Sequence, residues 1–262
     1  MSRGYFVVAL LAAGCRQEAE IDLARYELVD LSHGYSASTL YWPTSPTAFQ
    51  LSPIHVGLTP AGFFYSAYTF STPEHGGTHL DAPVHFAEGA IPVERIPLEQ
   101  LIAPAVVIDV TAQAASDPDY RLTVQDVEGF EAGNGPIGSG TIVLVRTGWS
   151  GRWGDRKAYF GDDTPGDASK LHFPGYGAEA ARLLVEERKV AALGIDSPSV
   201  DYGPALDFPV HRLGAPLGVP NFENLTNLDR LPATGAVVVA LPMKIEGGSG
   251  APLRAVALVA KR

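Results

Sequence analysis

His75-Gly-Gly-Thr-His79-Leu-Asp81-Ala-Pro83-Val-His85 gathers three imidazoles and a carboxylate within eleven residues of a chain that has seven histidines in all. Imidazole and carboxylate are the donors that borderline cations such as Zn²⁺ and Mn²⁺ accept. His75 and His79 have the spacing of a His-Glu-x-x-His helix, but Gly76, Gly77 and Pro83 disfavour a helix and no glutamate follows His75 to act as base. The glycines instead permit a tight turn on which His75, His79 and Asp81 converge on one ion. Thr78 is then placed to hydrogen-bond a carboxylate and hold its orientation. Beyond Pro83 the chain is expected to leave in extended form, keeping His85 close to the ion but free to act as general base or acid. A lone histidine would read as a turn cap or a polar core residue; this density reads as a metal site set in a turn between strands.

The flanking sequence agrees with that frame. Short apolar runs are punctuated by 28 glycines and 21 prolines, a strand-rich and loop-rich pattern. Strands are expected at Glu27–Leu31, Phe64–Phe70, Ala105–Val110, Thr141–Arg146, Val190–Ile195, Ala236–Leu241 and Arg254–Val259. Several are continuous Val/Ile/Leu/Ala runs, which suits strands covered on both faces. The best helix is Ala178–Lys189, with an apolar stripe through Ala180, Leu183 and Leu184. A second starts at Thr123, whose hydroxyl can cap Val124–Glu128, and Pro97–Ile102 is a short third. Residues 149–175 read as a long surface excursion that shapes a pocket.

At 262 residues, 46% hydrophobic and 18% charged, the chain suits one large globular domain. A net charge of -10 with scattered basic residues opposes nucleic acid as a partner. Cys15 is the only cysteine, which excludes a disulfide within the chain. It follows Arg3 and the apolar run Val7–Ala13, which is too short to span a bilayer. Leu11-Ala-Ala-Gly-Cys15 resembles the lipobox of bacterial lipoproteins. That resemblance implies a signal peptide over residues 1–14, a lipid anchor at Cys15, a tether over 15–25 and a single domain over 26–262. The protein would then be exported and membrane-anchored; without a signal it would be cytoplasmic.

The His75–His85 string, with Phe86, closely resembles the His-x-Gly-Thr-His-x-Asp-x-Pro-x-His motif of the cyclase family of metal-dependent amide hydrolases, which includes bacterial kynurenine formamidases and isatin hydrolases. The likeness continues through Trp42-Pro43, Gly194-Ile-Asp-Ser-Pro-Ser-Val-Asp201, Phe222-Glu-Asn-Leu225 and Gly247-Gly-Ser-Gly-Ala-Pro-Leu-Arg254. It implies an α/β fold: a strand-rich single domain of the swivelling β/β/α type, with a mixed sheet or barrel-like core and few helices. It also implies that His75, His79, Asp81, His211 and Glu223 are metal ligands and that His85 is the catalytic acid/base. By residue type alone His211 reads as an ordinary surface or core histidine and Glu223 as a solvated loop acid. The cofactor implied is a divalent metal, Zn²⁺ or Mn²⁺, as one or two ions per chain. The partner implied is a second copy, since relatives are homodimers that often exchange loops.

The reaction this implies is hydrolysis of a small-molecule amide, an aryl formamide such as N-formylkynurenine or a cyclic amide such as isatin. Cation-activated water would attack while His85 moves protons. Trp42, Phe63, Phe64 and Tyr65, with Trp149 or Trp153, are candidates for an apolar wall against a flat aromatic substrate. Two alternatives stay open at this stage. One is a surface-tethered protein that binds a small molecule or metal without chemistry; the other is a ring-closing or dehydrating enzyme using the same cation as Lewis acid.

Overall fold

The computed structural model describes residues 22–261, so the expected signal segment and the Cys15 anchor lie outside the described residues. Twelve strands form in chain order: β1 (Tyr26–Asp30), β2 (Gln50–Leu58), β3 (Phe64–Ser71), β4 (His79–Asp81), β5 (Ile102–Asp109), β6 (Arg121–Leu122), β7 (Ile142–Arg146), β8 (Gly175–Tyr176), β9 (Ala192–Ile195), β10 (Asn221–Glu223), β11 (Ala236–Pro242) and β12 (Gly250–Ala260). The helices are α1 (Leu98–Leu101), α2 (Thr111–Ser116), α3 (Val124–Asn134), α4 (Arg156–Phe160), α5 (Ala178–Arg182) and α6 (Pro209–Gly214). All seven strands expected from sequence are present, with ends shifted by a few residues.

Seven of the strands close on themselves in the order β12-β11-β5-β7-β9-β10-β4 and back to β12, and β1 extends the sheet from β12. The pairs β5–β7, β7–β9 and β9–β10 are parallel and the rest are antiparallel, which gives the expected mixed, barrel-like α/β architecture with few helices. Alternation along each strand explains the continuous apolar runs. Ala105, Val107, Ile142, Leu144 and Ala192 pack on one face with Leu80, Phe222, Ala251 and Ala255. Val106, Ile108, Val143, Val145, Leu193 and Ile195 pack on the other face with Val127, Ala180 and Leu184 from the helical crossovers. Each buried Val, Leu, Ile or Phe among them contributes about 1.5–3 kcal/mol, and each alanine less.

Helix α3 starts as its sequence suggests. Asp126 N–H donates to the Thr123 hydroxyl at 3.1 Å while Thr123 N–H donates to the Asp126 carboxylate at 2.8 Å, a reciprocal cap. The helix expected over Ala178–Lys189 is α-helical only to Arg182. It continues as a π-helical turn, Leu183–Glu187, in which Arg188 N–H reaches back to Leu183 C=O, and it stops at Lys189 with φ 54°.

Two regions depart from expectation. Residues 149–175 are a surface excursion only in part: 150–158 and 161–170 are exposed or partly exposed, whereas Trp149, Tyr159, Phe160, Leu171 and Phe173 bury one another in a third apolar cluster. Trp149 Nε1 donates to Tyr159 C=O at 2.7 Å, which satisfies the one polar atom of its ring. The strands β2 and β3, conversely, pair only with each other and project as a hairpin with both faces exposed. That placement removes Phe63, Phe64 and Tyr65 from the substrate wall expected of them, since all three are at least half exposed at the hairpin tip.

Candidate metal centre

The Gly-Gly turn forms because no side chain fits there. Gly76 and Gly77 have φ of 148° and 62°, and a Cβ on either would run into the ring of Tyr41 or Tyr35. The Tyr35 hydroxyl bonds to both Gly76 C=O (2.7 Å) and Thr78 C=O (2.8 Å), pinning the turn from outside. The chain then enters β4, where alternation points His79 and Asp81 to one side. Register places Glu223 of β10 opposite His79, and Gly250 of β12 opposite Asp81. Pro209 at the start of α6 presets the helical φ, and two residues later His211 faces the same point.

The five residues expected to be ligands therefore meet, although three come from one stretch and two from another. His79 Nε2 lies 3.2 Å from Asp81 Oδ1 and 3.6 Å from Glu223 Oε2. His211 Nε2 lies 3.0 Å from Asp81 Oδ2 and 3.3 Å from Glu223 Oε1, and His75 Nδ1 is 2.6 Å from Asp81 Oδ1. Donors bound at 2.0–2.1 Å around one cation are about 3.0 Å apart on an octahedral edge and about 3.4 Å on a tetrahedral one, so most of these spacings fit a borderline divalent ion. The donors form two trios, His75/His79/Asp81 and Asp81/His211/Glu223, that share Asp81.

Outer contacts fix which atom each of these residues turns toward the others. Gly77 C=O accepts from His79 Nδ1 at 3.0 Å, and Asp201 Oδ2 sits 2.7 Å from His211 Nδ1, leaving both Nε2 atoms turned inward. Glu223 Oε1 accepts Val200 N–H at 2.8 Å. Thr78 does not orient a carboxylate as expected. Its hydroxyl donates to Asn224 C=O at 2.6 Å and accepts His33 N–H at 2.8 Å, because the turn points it at the β10 strand end. Asn224 itself sits at φ 55°, accepts the Tyr159 hydroxyl at 2.9 Å and donates to Gly77 C=O at 2.9 Å.

The electrostatics call for positive charge. Burial alone would lower the pKa of His79, but Asp81 and Glu223 carry it up to about 8. His211 is likewise raised well above the usual histidine value against its own burial, by Asp201, Asp81 and Glu223. Asp81 is held well below the usual carboxylate range, again against its burial, by His79 and His75. Residues of this donor set, with buried carboxylates that favour a neighbouring cation, can hold a divalent metal.

His85 is neither extended from Pro83 nor among the converging donors. Pro83–His85 forms a single 3-10 turn that brings its ring face to face with His75, 3.8 Å between centroids. Burial pushes its pKa down to about 4, with Asp81 opposing. His85 lines a cavity of about 460 Å³ together with the five converging residues and Trp42, Phe86, Phe160 and Phe208. Of the expected wall only Trp42 is there. Trp149 is buried in the third cluster and Trp153 stacks on His33 at 4.1 Å. Sequence reasoning missed Asp201, Asn224 and the three phenylalanines; Phe86 adjoins His85, and Asp201 and Asn224 fall within motifs already singled out, but their partners are distant in the chain.

Comparison with known proteins converges on one family. A family model described as "Putative cyclase" matches residues 29–202, which include the His75–His85 stretch. The chain is 39% identical over 196 residues to isatin hydrolase of Roseibium aggregatum, covering 72% of this chain and 73% of that protein. It is 29% identical over 235 residues to kynurenine formamidase of Salinibacter ruber, covering 87% of this chain and 96% of that protein. The solved structure of isatin hydrolase A from Labrenzia aggregata superposes with a TM-score of 0.83 at 33% identity, covering 91% of this chain and 95% of that one.

Proposed function

The chain belongs to the cyclase family, and on that premise we propose that it is a metal-dependent hydrolase cleaving an amide C–N bond in an aryl formamide or a cyclic amide. The observation that carries this reading is His85, an imidazole outside the converging donor set that faces the same cavity. His75, His79, Asp81, His211 and Glu223 would hold a divalent ion, which when bound would lower the pKa of water toward about 7 and polarise a carbonyl. Burial keeps His85 unprotonated at neutral pH, so it can accept a proton from water as the C–O bond forms. Handing the same proton to nitrogen as the C–N bond breaks leaves an amine and a carboxylic acid, which releases its remaining proton to solvent at neutral pH.

Trp42, Phe86, Phe160 and Phe208 give the cavity an aromatic wall, and no Lys or Arg lines it among the described residues. That favours a flat, uncharged amide such as isatin over one with a free α-carboxylate such as N-formylkynurenine. The test is turnover of isatin, N-formylkynurenine and simple lactams by wild type and His85→Ala, with metal content measured on both. Loss of turnover of at least a hundredfold with metal retained supports the role of His85. Turnover unchanged in the variant removes His85 from the chemistry, and no turnover of any amide by wild type overturns the hydrolase reading, leaving a binding protein or a ring-closing or dehydrating enzyme. Metal analysis after purification without added metal distinguishes Zn²⁺ from Mn²⁺ and one ion from two.

The same proposal includes a homodimer and export. The β2–β3 hairpin exposes Ile54, Leu58, Phe63 and Phe64, each more than half accessible, and a lone two-stranded hairpin is barely stable in water. A second copy covering it would account for these residues. Light scattering should give a dimer that Leu58→Asp/Phe64→Asp splits. Labelling by a fatty acid, lost in Cys15→Ala, tests the anchor read from residues 3–15.

A further inference from the structure

The glycine-rich segment Gly247-Gly-Ser-Gly250 leads into β12, and in the folded chain it lies against Glu74 and His75. A Cβ on Gly250 would collide with the His75 ring and with Leu80 C=O, and one on Gly248 would crowd the Glu74 carboxylate. The segment is anchored from the other side as well, since Ala82 N–H donates to Ser249 C=O at 2.9 Å. Between the two glycines Ser249 makes three contacts. Its N–H donates to Glu74 Oε2 at 3.1 Å, its hydroxyl donates to the same oxygen at 2.6 Å, and its Oγ lies 2.9 Å from His75 Nε2.

The direction of this relay follows from donor and acceptor chemistry. An ionised carboxylate only accepts, so the Ser249 proton is committed to Glu74 and Oγ has only lone pairs left for His75. His75 Nε2 must therefore carry a hydrogen; Nδ1, facing the Asp81 carboxylate, donates to it until a cation takes the place of that hydrogen, and so is the nitrogen left to bind the ion. Nδ1 is the atom that faces the donor cluster, 2.6 Å from Asp81 Oδ1. Glu74 cannot do this directly, because its Oε2 is 3.9 Å from Nε2, beyond hydrogen-bond reach.

We propose that Ser249 and Glu74 are positioning residues for the metal, a Glu–Ser–His relay that locks His75 in the tautomer presenting Nδ1 to the ion. His79 and His211 present Nε2 instead, so His75 is the reversed ligand of the set, and the Gly-Ser-Gly clamp is what the reversal requires. This rests on the metal-site reading above and assigns a task to a segment that reading leaves unused.

The test is a Zn²⁺ titration in competition with a chromogenic chelator on wild type, Ser249→Ala and Glu74→Gln. It is paired with long-range ¹H–¹⁵N NMR of His75 in the Zn²⁺-loaded protein. Ser249→Ala should weaken Zn²⁺ about tenfold and Glu74→Gln by a smaller factor, in line with the loss of an outer-shell partner. In wild type the spectra should show His75 metallated at Nδ1 with hydrogen on Nε2, a pattern blurred in Ser249→Ala. Glu74 is at the cavity rim, so Glu74→Gln remains informative if the serine variant folds poorly. Zn²⁺ affinity unchanged in both variants, or His75 metallated through Nε2, overturns the relay alone. Absence of Zn²⁺ binding by wild type overturns the metal reading and the relay with it.

Discussion

His211 and His75 stand on opposite sides of the shared Asp81 and are held for the same task by different means. In the half of the centre built from residues 196–223, the imidazole bonds directly to Asp201, a carboxylate that is itself almost fully buried and also accepts Val210 N–H at 2.7 Å. In the half built from residues 74–85 and 249–250, the imidazole is a quarter exposed and reaches a rim carboxylate only through a serine. The first arrangement is part of the packed core; the second is a local device on the cavity edge. A direct buried carboxylate couples ligand geometry to the stability of the whole fold, whereas a relay at the rim tunes the ligand with little effect elsewhere.

The largest effect should come from breaking the buried half. Asp201→Ala leaves His211 and two backbone amides without their acceptor. It should cost about 3–5 kcal/mol in urea unfolding and weaken metal by about a hundredfold. A stability loss no greater than that of Ser249→Ala would erase the contrast. Next in size, Gly250→Ala pushes a methyl into the His75 ring and β4, for about 1–3 kcal/mol with a parallel loss of metal affinity. An unchanged affinity would mean that the rim half yields without consequence.

The smallest effects separate the halves by pH. His33, whose N–H bonds Thr78 in the rim half, is pushed by burial from 6.5 down to about 4. A depressed folded value means its contribution is present above pH 6.5 and is lost as pH falls toward about 4. Asp196, in the buried half, is raised by burial from 3.8 to about 6, despite accepting from Thr147 and Gly148. Its contribution is present below pH 3.8 and is lost as pH rises through about 6. Urea unfolding across pH 4–7.5 should therefore show His33→Phe and Asp196→Asn flattening slopes of opposite sign; equal slopes would refute the assignment.

The ligand turn was legible because its chemistry is local: three imidazoles and a carboxylate in one short stretch, with glycines that forbid a helix. The long strands were legible because β5, β7 and β9 are apolar on both faces. The strands β4 and β10 were not, since each has three residues and spends alternate positions on polar side chains. Pro53 and Gly57 hid β2, whose pairing is irregular between Pro53 and His55. Phe63–Tyr65 misled because apolar residues beside a site look like its wall, and only topology shows the hairpin leaving it. Asp201 and Ser249 carry no signal of their own; each acquires its partner only when the sheet closes.

That closure is made by β12, the last strand in the sequence. One of its edges holds β11, and the other holds β4 at Gly250–Pro252 and β1 at Val256–Ala260. During synthesis the His79–Asp81 strand thus has no second neighbour until β12 has left the ribosome, so the centre should assemble only after that strand is made. Lys261 N–H donates to Arg25 C=O at 2.8 Å, which sets the start of β1 beside the end of β12. A circular permutant joined there and opened in the loop before β11 would deliver β12 early, making the order of assembly an experimental variable.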